Sequence, residues 1–286
     1  LSDNAMAYFT YSEGNLPGGF NPEVATKLRN ASQVAEFQAQ NPGIIENYGE
    51  ESLTNFEFGY KKTALDGRLA YNIALFMMER TDQVYSGFGQ ITADGICNSG
   101  SEDVVVCTVN FSGNGQSSDI NGFELDGTYL VSENLEIRTS LAYVDATISQ
   151  FPDGAGCGDI QAVFGDCSRV KGSIAPRYPE WQGSLIANYE TDSNVYIRGE
   201  VFYNDGYYDE ATNLAEIPSG TEVNLRVGKR MDNMTAELYV TNLTDEDAPL
   251  GGNNIADTSG YVRFNTYAYN FGVESVHVAF RDKREF

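Results

Sequence analysis

Apolar and polar residues alternate along this chain with a period of two, in segments of roughly ten residues, the pattern of strands whose two faces meet different surroundings. In Phe56 to Lys61, Phe56, Phe58 and Tyr60 share one face while Glu57, Gly59 and Lys61 share the other. Leu69, Tyr71, Ile73, Leu75 and Met77 repeat the rule against Arg68, Ala70, Asn72 and Ala74, as do Phe123, Leu125 and Tyr129 against Glu124, Asp126 and Thr128. Leu135, Ile137, Leu141 and Tyr143 follow, then Trp181, Leu185 and Tyr189, then Val195, Ile197, Val201 and Tyr203. With Val223, Leu225 and Val227, with Ala236, Leu238 and Val240, and with Met6 to Ser12 at the start, nine strands are predicted.

The links between them alternate in length. Thr63 to Gly67, Val131 to Asn134, Glu190 to Asn194 and Arg230 to Asn233 are short and made of turn residues. Glu13 to Ser52, Ser86 to Ser118, Gln150 to Glu180, Asp205 to Thr221 and Glu246 to Phe280 are long and hold all the cysteines. Structureless loops of this length are uncommon in a compact soluble domain, so their return after every second strand needs an architectural cause. An antiparallel transmembrane β-barrel supplies one, with short periplasmic turns and long extracellular loops. Lipid offers the backbone no hydrogen-bond partner, so strands that cross it must all be paired. A soluble sandwich or propeller explains the strands but not the loops. The four short links should therefore share one edge of the sheet, opposite the cysteine loops. Aromatics near strand ends (Tyr8, Tyr11, Tyr60, Tyr129, Tyr143, Trp181, Tyr189 and Tyr203) suit interfacial girdles. One segment departs from the pattern: Val24, Leu28, Val34 and Phe37 are spaced for one face of a short helix, read as decoration of the first long loop.

Charge narrows the partners. The 286 residues carry 18 Lys+Arg against 41 Asp+Glu, a formal charge of −23, which argues against nucleic acid. The longest apolar stretch, Leu69 to Met78, is interrupted by Asn72 and is about half the ~20 residues a membrane helix needs. The cysteines fall into two local pairs, Cys97 with Cys107 and Cys157 with Cys167, each in a polar link, and are read as two loop disulfides of an oxidising compartment. Zinc is the rival reading, but neither pair has metal-ligand spacing and the single histidine, His277, is far away in sequence.

Candidate chemistry is sparse. His277 is placed in the last long loop with no nucleophile motif near it, so no catalytic residue is assigned. Glu124 and Asp126 share a strand face, read as facing a wet lumen rather than holding a metal. Loop acids such as Asp153, Asp209 and Asp245 are read as solvated surface in the absence of a spaced calcium motif. No metal or cofactor is expected.

Particular residues carry a resemblance. Tyr8-Phe9-Thr10-Tyr11-Ser12-Glu13-Gly14 with Pro17-Gly18-Gly19-Phe20-Asn21, Glu51 to Lys61, Leu65-Asp66-Gly67-Arg68-Leu69, Gly122-Phe123-Glu124-Leu125-Asp126 and Val240-Thr241-Asn242-Leu243-Thr244-Asp245 together resemble, in order, the barrel domain of TonB-dependent receptors. Arg281 to Phe286 looks like the start of that family's last strand. The resemblance implies the C-terminal part of the barrel over residues 1–286, with the plug domain and N-terminal strands absent and a tenth strand cut at Phe286, hence an open partial barrel. It also implies an outer-membrane protein of a Gram-negative bacterium, surrounded by outer-membrane lipid and driven by the TonB complex through the plug. Its ligand would be a small molecule, first of all an iron–siderophore complex, with a vitamin or oligosaccharide as alternatives; a passive porin is the rival class. Ligand capture in the family uses extracellular loops, so Phe20, Phe164, Tyr207 and Tyr208 are the candidate ligand-binding residues, against the reading that they pack loop on loop.

Overall fold

The computed structural model describes residues 4–92, 106–151, 170–211, 213, 215–232, 234–247, 251–256, 264–269 and 277–284. In chain order it contains β1 (Ala5–Leu16), β2 (Gly19–Phe20), α1 (Pro22–Lys27), α2 (Ala31–Gln40), β3 (Asn47–Tyr48), β4 (Glu51–Ala64), β5 (Leu69–Thr92) and β6 (Val106–Leu130). These are followed by β7 (Leu135–Gln150), β8 (Trp181–Glu190), β9 (Val195–Asn204), β10 (Tyr207–Tyr208), β11 (Glu216–Ile217) and β12 (Gly220–Met231). The last elements are β13 (Met234–Thr241), β14 (Gly251–Ala256), β15 (Phe264–Tyr269) and β16 (His277–Arg284). Ten strands form one sheet in the order β1-β4-β5-β6-β7-β8-β9-β12-β13-β16, a meander with β1 and β16 at its two edges. The short strands pair as β2 with β3, β10 with β11 and β14 with β15, all within the long links.

Register converts the sequence alternation into a continuous face. Phe9 lies opposite Phe58, Phe58 opposite Leu75, Leu75 opposite Phe123, Phe123 opposite Tyr143 and Tyr143 opposite Trp181. Farther along, Tyr189 meets Ile197, Ile197 meets Val227 and Val227 meets Leu238. Most of these side chains are exposed: Phe9 is 66% accessible, Leu75 53% and Leu238 52%, while Phe123 and Tyr143 are half-buried against each other and Trp181. An apolar face of that extent is an aggregation surface in water and the required surface in lipid. Trp181 joins Tyr143 and Phe123 in a ring cluster with centroids 4.8 and 5.9 Å away. Tyr189 stands eight residues along β8 from Trp181, about 27 Å of strand, close to the ~25 Å height of a lipid-facing band once tilt is allowed for. Tyr8 is the exception among the expected girdle aromatics. It lies on the opposite face, where its hydroxyl donates to Glu57 at 2.6 Å.

All four short links lie on one edge, as the sequence predicts. Backbone hydrogen bonds run from each to the next: Leu130 N–H to Arg68 C=O, Glu190 N–H to Asn134 C=O and Arg230 N–H to Asn194 C=O, each 2.8 to 2.9 Å. The first turn needs left-handed backbone at Leu65, Asp66 and Gly67 (φ 52, 54 and 89°), which explains Asp-Gly at its centre.

The long links depart from the expectation in three places. Most of Ser86 to Ser118 is not loop: β5 and β6 continue as a paired ribbon out to Thr92 and Val106, bent by register shifts between Arg80 and Tyr85. The segment around Val24 and Phe37 forms two helices rather than one, and it is core rather than decoration. Phe37 (0% exposed) and Val24 (4%) pack with Ile44, Ile91, Cys107, Val109 and Phe111 of the ribbon, whereas Val34 points outward. His277 lies in β16, opposite Thr241, not in a loop. A second cluster on the inner face joins Phe76, Ile120, Ala146 and Ile148 to Val170 and Ala175 of the link after β7.

Candidate functional site

On the inner face the residues that alternate with the lipid belt form a ladder of charges near the short turns. Glu136 of β7 accepts from Arg138 at 2.7 Å and from Asn188 of β8 at 3.1 Å. Arg198 of β9 donates to Asn188 at 3.4 Å and pairs with Glu200 at 2.5 Å. Arg226 of β12 stands directly opposite Arg198, a repulsive placement that Glu200 at 3.8 Å and Glu237 at 4.0 Å offset. Tyr196 donates to Glu237 at 2.7 Å. Arg226 Nε and Glu237 Oε1 are buried and make no direct hydrogen bond among the described residues. The carboxylates of Glu200 and Glu237 are largely buried, so their desolvation offsets much of the attraction and the ladder's main effect is a charged wall rather than stability. Toward β6 the wall turns acidic: Glu124 and Asp126 line an open cavity of about 440 Å³ with Ser140, Gln182, Ser184 and Phe202.

Above this wall the links fold inward. Ser173 C=O accepts from Ile148 N–H and Ala175 N–H donates to Ala146 C=O, both at 2.9 Å, extending β7 with the chain before β8. Tyr207 and Tyr208 sit here, half-buried in β10 and paired with Ile217 and Glu216 of β11. Arg177 binds that hairpin twice, its N–H to Tyr208 C=O and its Nε to Asp209, both at 2.8 Å, and the carboxylate holds the guanidinium above its ordinary pKa. The two tyrosines are thus built into loop packing, and burial pushes the Tyr207 hydroxyl up. Phe20 is elsewhere, on β2 of the helical lobe and 55% exposed. Phe164, Cys97, Cys157 and Cys167 lie outside the described residues. Cys107 is buried in the lobe cluster, and no described cysteine is a free thiol.

The lobe has its own logic. A two-stranded ribbon in water leaves both edges unpaired and is marginal alone. Here side chains of the helical segment occupy both edges. On β6, Asn21 both accepts from and donates to Ser112 backbone at 2.8 Å, and Glu23 accepts from Asn110 N–H at 2.6 Å. On β5, Gln40 bonds both backbone groups of Gln90, and Glu36 accepts from Thr92 N–H at 2.9 Å. Glu23 also pairs with Lys27 at 2.9 Å. Its carboxyl is held below the ordinary value, first by the Asn110 N–H and also by Lys27. The ribbon-edge roles are not visible in the sequence, because each backbone partner on the ribbon is 50 or more residues away.

A meandering sheet with one lipid-facing side, one charged side and folded outer links defines a segment of a transmembrane β-barrel. The family profile described as "TonB dependent receptor-like, beta-barrel" matches residues 1–243, and the chain belongs to that family, whose members are outer-membrane proteins of Gram-negative bacteria. Among solved structures, it is similar to the ferric yersiniabactin uptake receptor FyuA from Yersinia pestis (15% identity, TM-score 0.66, covering 100% of this chain and 36% of that one). It is also similar to the siderophore receptor PiuA from Acinetobacter baumannii (17%, TM-score 0.62, 99% and 34%) and to the ferric-catecholate import receptor Fiu from E. coli K12 (17%, TM-score 0.59, 99% and 33%). The chain spans about a third of the length of the structures it matches.

Proposed function

We propose that this chain is the C-terminal part of the barrel of a receptor that imports a scarce small ligand across the outer membrane, that the ligand is an iron–siderophore complex, and that import is coupled to TonB through a plug domain in the rest of the protein. The observation that carries the reading is the pairing of a charged inner wall with outer links that fold inward over it, in a chain of this family. Such a wall suits a polar occupant of the lumen, while the folded links suit a gated mouth more than an open pore. The similar receptors named for ferric ligands support the substrate class. No residue is assigned covalent chemistry; the barrel acts as scaffold and conduit. Phe20, exposed on the lobe, Phe164 and the Tyr207–Tyr208 hairpin are the proposed ligand contacts, and Cys97–Cys107 and Cys157–Cys167 the proposed disulfides, to be mapped by mass spectrometry without reductant.

Uptake of radiolabelled iron presented as catecholate, hydroxamate and mixed siderophore complexes tests the proposal, using cells with and without the full-length gene. Uptake of one class that needs both the gene and TonB is expected. Gene-dependent uptake that persists without TonB would make the protein a passive pore.

A further inference from the structure

The lipid face carries a hollow that the described chain does not fill. It measures about 250 Å³, and Leu185 of β8, Val201 of β9, Leu225 of β12 and Leu243 stand around it, with Ala187 and Gly199 between them. Glu200 and Asn224 also border it, but their side chains turn to the inner wall, where Glu200 pairs with Arg198 and Asn224 donates to Glu222 at 2.7 Å. The side chains offered to the hollow are therefore apolar. Ala187 lies opposite Gly199 and Gly199 opposite Leu225, so the two smallest residues stand side by side on neighbouring strands.

Gly199 is the residue that the sheet alone does not explain. Glycine weakens a strand interior and marks an irregular backbone or a place where another molecule comes close. The register on both sides of Gly199 runs without a shift, and its backbone is ordinary strand. Other glycines of the sheet have uses within the chain. On the inner wall the Tyr8 ring lies over Gly59 and the Tyr196 ring over Gly228. On the lipid face a Cβ on Gly127 would come within 3.4 Å of Thr139, and one on Gly183 within 3.3 Å of Ser140. A Cβ on Gly199 would meet nothing within 4 Å. No described neighbour requires glycine there, which leaves the approach of a molecule from outside the chain.

Depth and charge define that molecule. Leu185 is midway along β8 between Trp181 and Tyr189, so the hollow lies in hydrocarbon, and its Ala187–Gly199 floor falls on the side of the short turns. The exposed Lys229 lies on the same face of β12, beside the turn and four residues from Leu225, about 13 Å along the strand. That is within the ~15 Å hydrocarbon depth of one leaflet. Beyond the opposite end stand the acids Asp205 and Glu246, bonded to the Tyr203 hydroxyl and the Thr221 N–H, which disfavour a phosphate there. Within a membrane a chain is held by packing rather than by escape from water, and a hollow gives it more contacts than the flat belt does. We propose that this hollow holds one acyl chain of a phospholipid from the periplasmic leaflet, with the lipid phosphate paired to Lys229. The site requires the short turns to be periplasmic and is independent of the transported ligand.

The test reconstitutes the full-length receptor in phosphatidylethanolamine vesicles doped with the same lipid carrying a photoreactive diazirine at mid-chain, and maps the adducts by mass spectrometry after illumination. Adducts should concentrate on β8, β9 and β12. Gly199→Leu, which fills the hollow where nothing stands within 4 Å, and Ala187→Leu, which fills it from the next strand, should each lower these adducts about five-fold. Adducts elsewhere on the belt should stay unchanged, and heat-modifiable migration in gels should be retained. Lys229→Gln should lower the adducts at the site about two-fold. Adducts spread evenly round the belt, adducts at the site untouched by both filling variants, stronger labelling of the site by lipid A carrying the same diazirine, or crosslinking of two receptors through Gly199→Cys would overturn the proposal.

Discussion

At the scale of single residues, the lobe depends on side chains that replace missing strands. Glu23 takes the place of a neighbouring strand for Asn110, and the bond that does so keeps its carboxyl below the ordinary value of 4.5. A depressed folded-state pKa contributes stability above the unfolded value and loses it as pH falls through the folded one. The hydrogen-exchange protection of the Asn110 amide, normalised to the unfolded chain, should therefore fall below pH 4.5. In Glu23→Gln that protection should be lower at neutral pH and nearly flat across the acid range. An unchanged acid drop in the variant would assign the effect to another carboxylate. The helical spacing that marks Val24 and Phe37 was legible in the sequence, but nothing in it singled out Glu23, Glu36 or Gln40. Their function exists only once the ribbon stands beside them. For the candidate contacts Tyr207 and Tyr208 the aromatic pair in a long link was legible, but its place in the β10–β11 hairpin was not, because composition alone does not set which short strands pair.

At the scale of elements, the alternation placed nine of the ten strands of the sheet, because lipid on one face and polar wall on the other impose the same period; β16 was expected only from the resemblance, and it begins at His277 rather than Arg281. The alternation failed at the outer half of β5 and β6, where Gly87, Gly89 and Gly113 read as loop. In the fold they make room. A Cβ on Gly87 would sit 2.7 Å from the Phe111 ring, one on Gly89 2.7 Å from the Phe37 ring, and one on Gly113 2.5 Å from Ile44. These glycines are packing residues, and only the helices that press on them reveal it. Phe37→Ala should therefore cost the lobe about 3–5 kcal/mol, the range for emptying a buried phenylalanine site. Limited proteolysis of the lobe should speed up accordingly, while the full-length barrel keeps its heat-modifiable migration in gels. Gly89→Val should act on the same assay in the same direction by overpacking. Loss of barrel migration in either variant would show that lobe and sheet fold as one unit.

At the scale of the whole molecule, orientation joins fold to function: the short turns on the periplasmic edge, the helical lobe and the folded links outside the cell. Hydrogen bonds joining consecutive turns fix all four to one edge, and the lipid belt fixes which face meets the membrane. Side is the remaining variable, and one experiment reads it. In intact cells expressing the full-length receptor, single cysteines placed at the turn positions Asp66 and Asp192 and at the lobe positions Val34 and Ile45 are treated with a membrane-impermeant maleimide. Val34→Cys and Ile45→Cys should label and Asp66→Cys and Asp192→Cys should not, until the outer membrane is permeabilised and all four react. Labelling of the turn cysteines in intact cells, with the lobe cysteines protected, would place the short turns outside the cell and reverse this orientation.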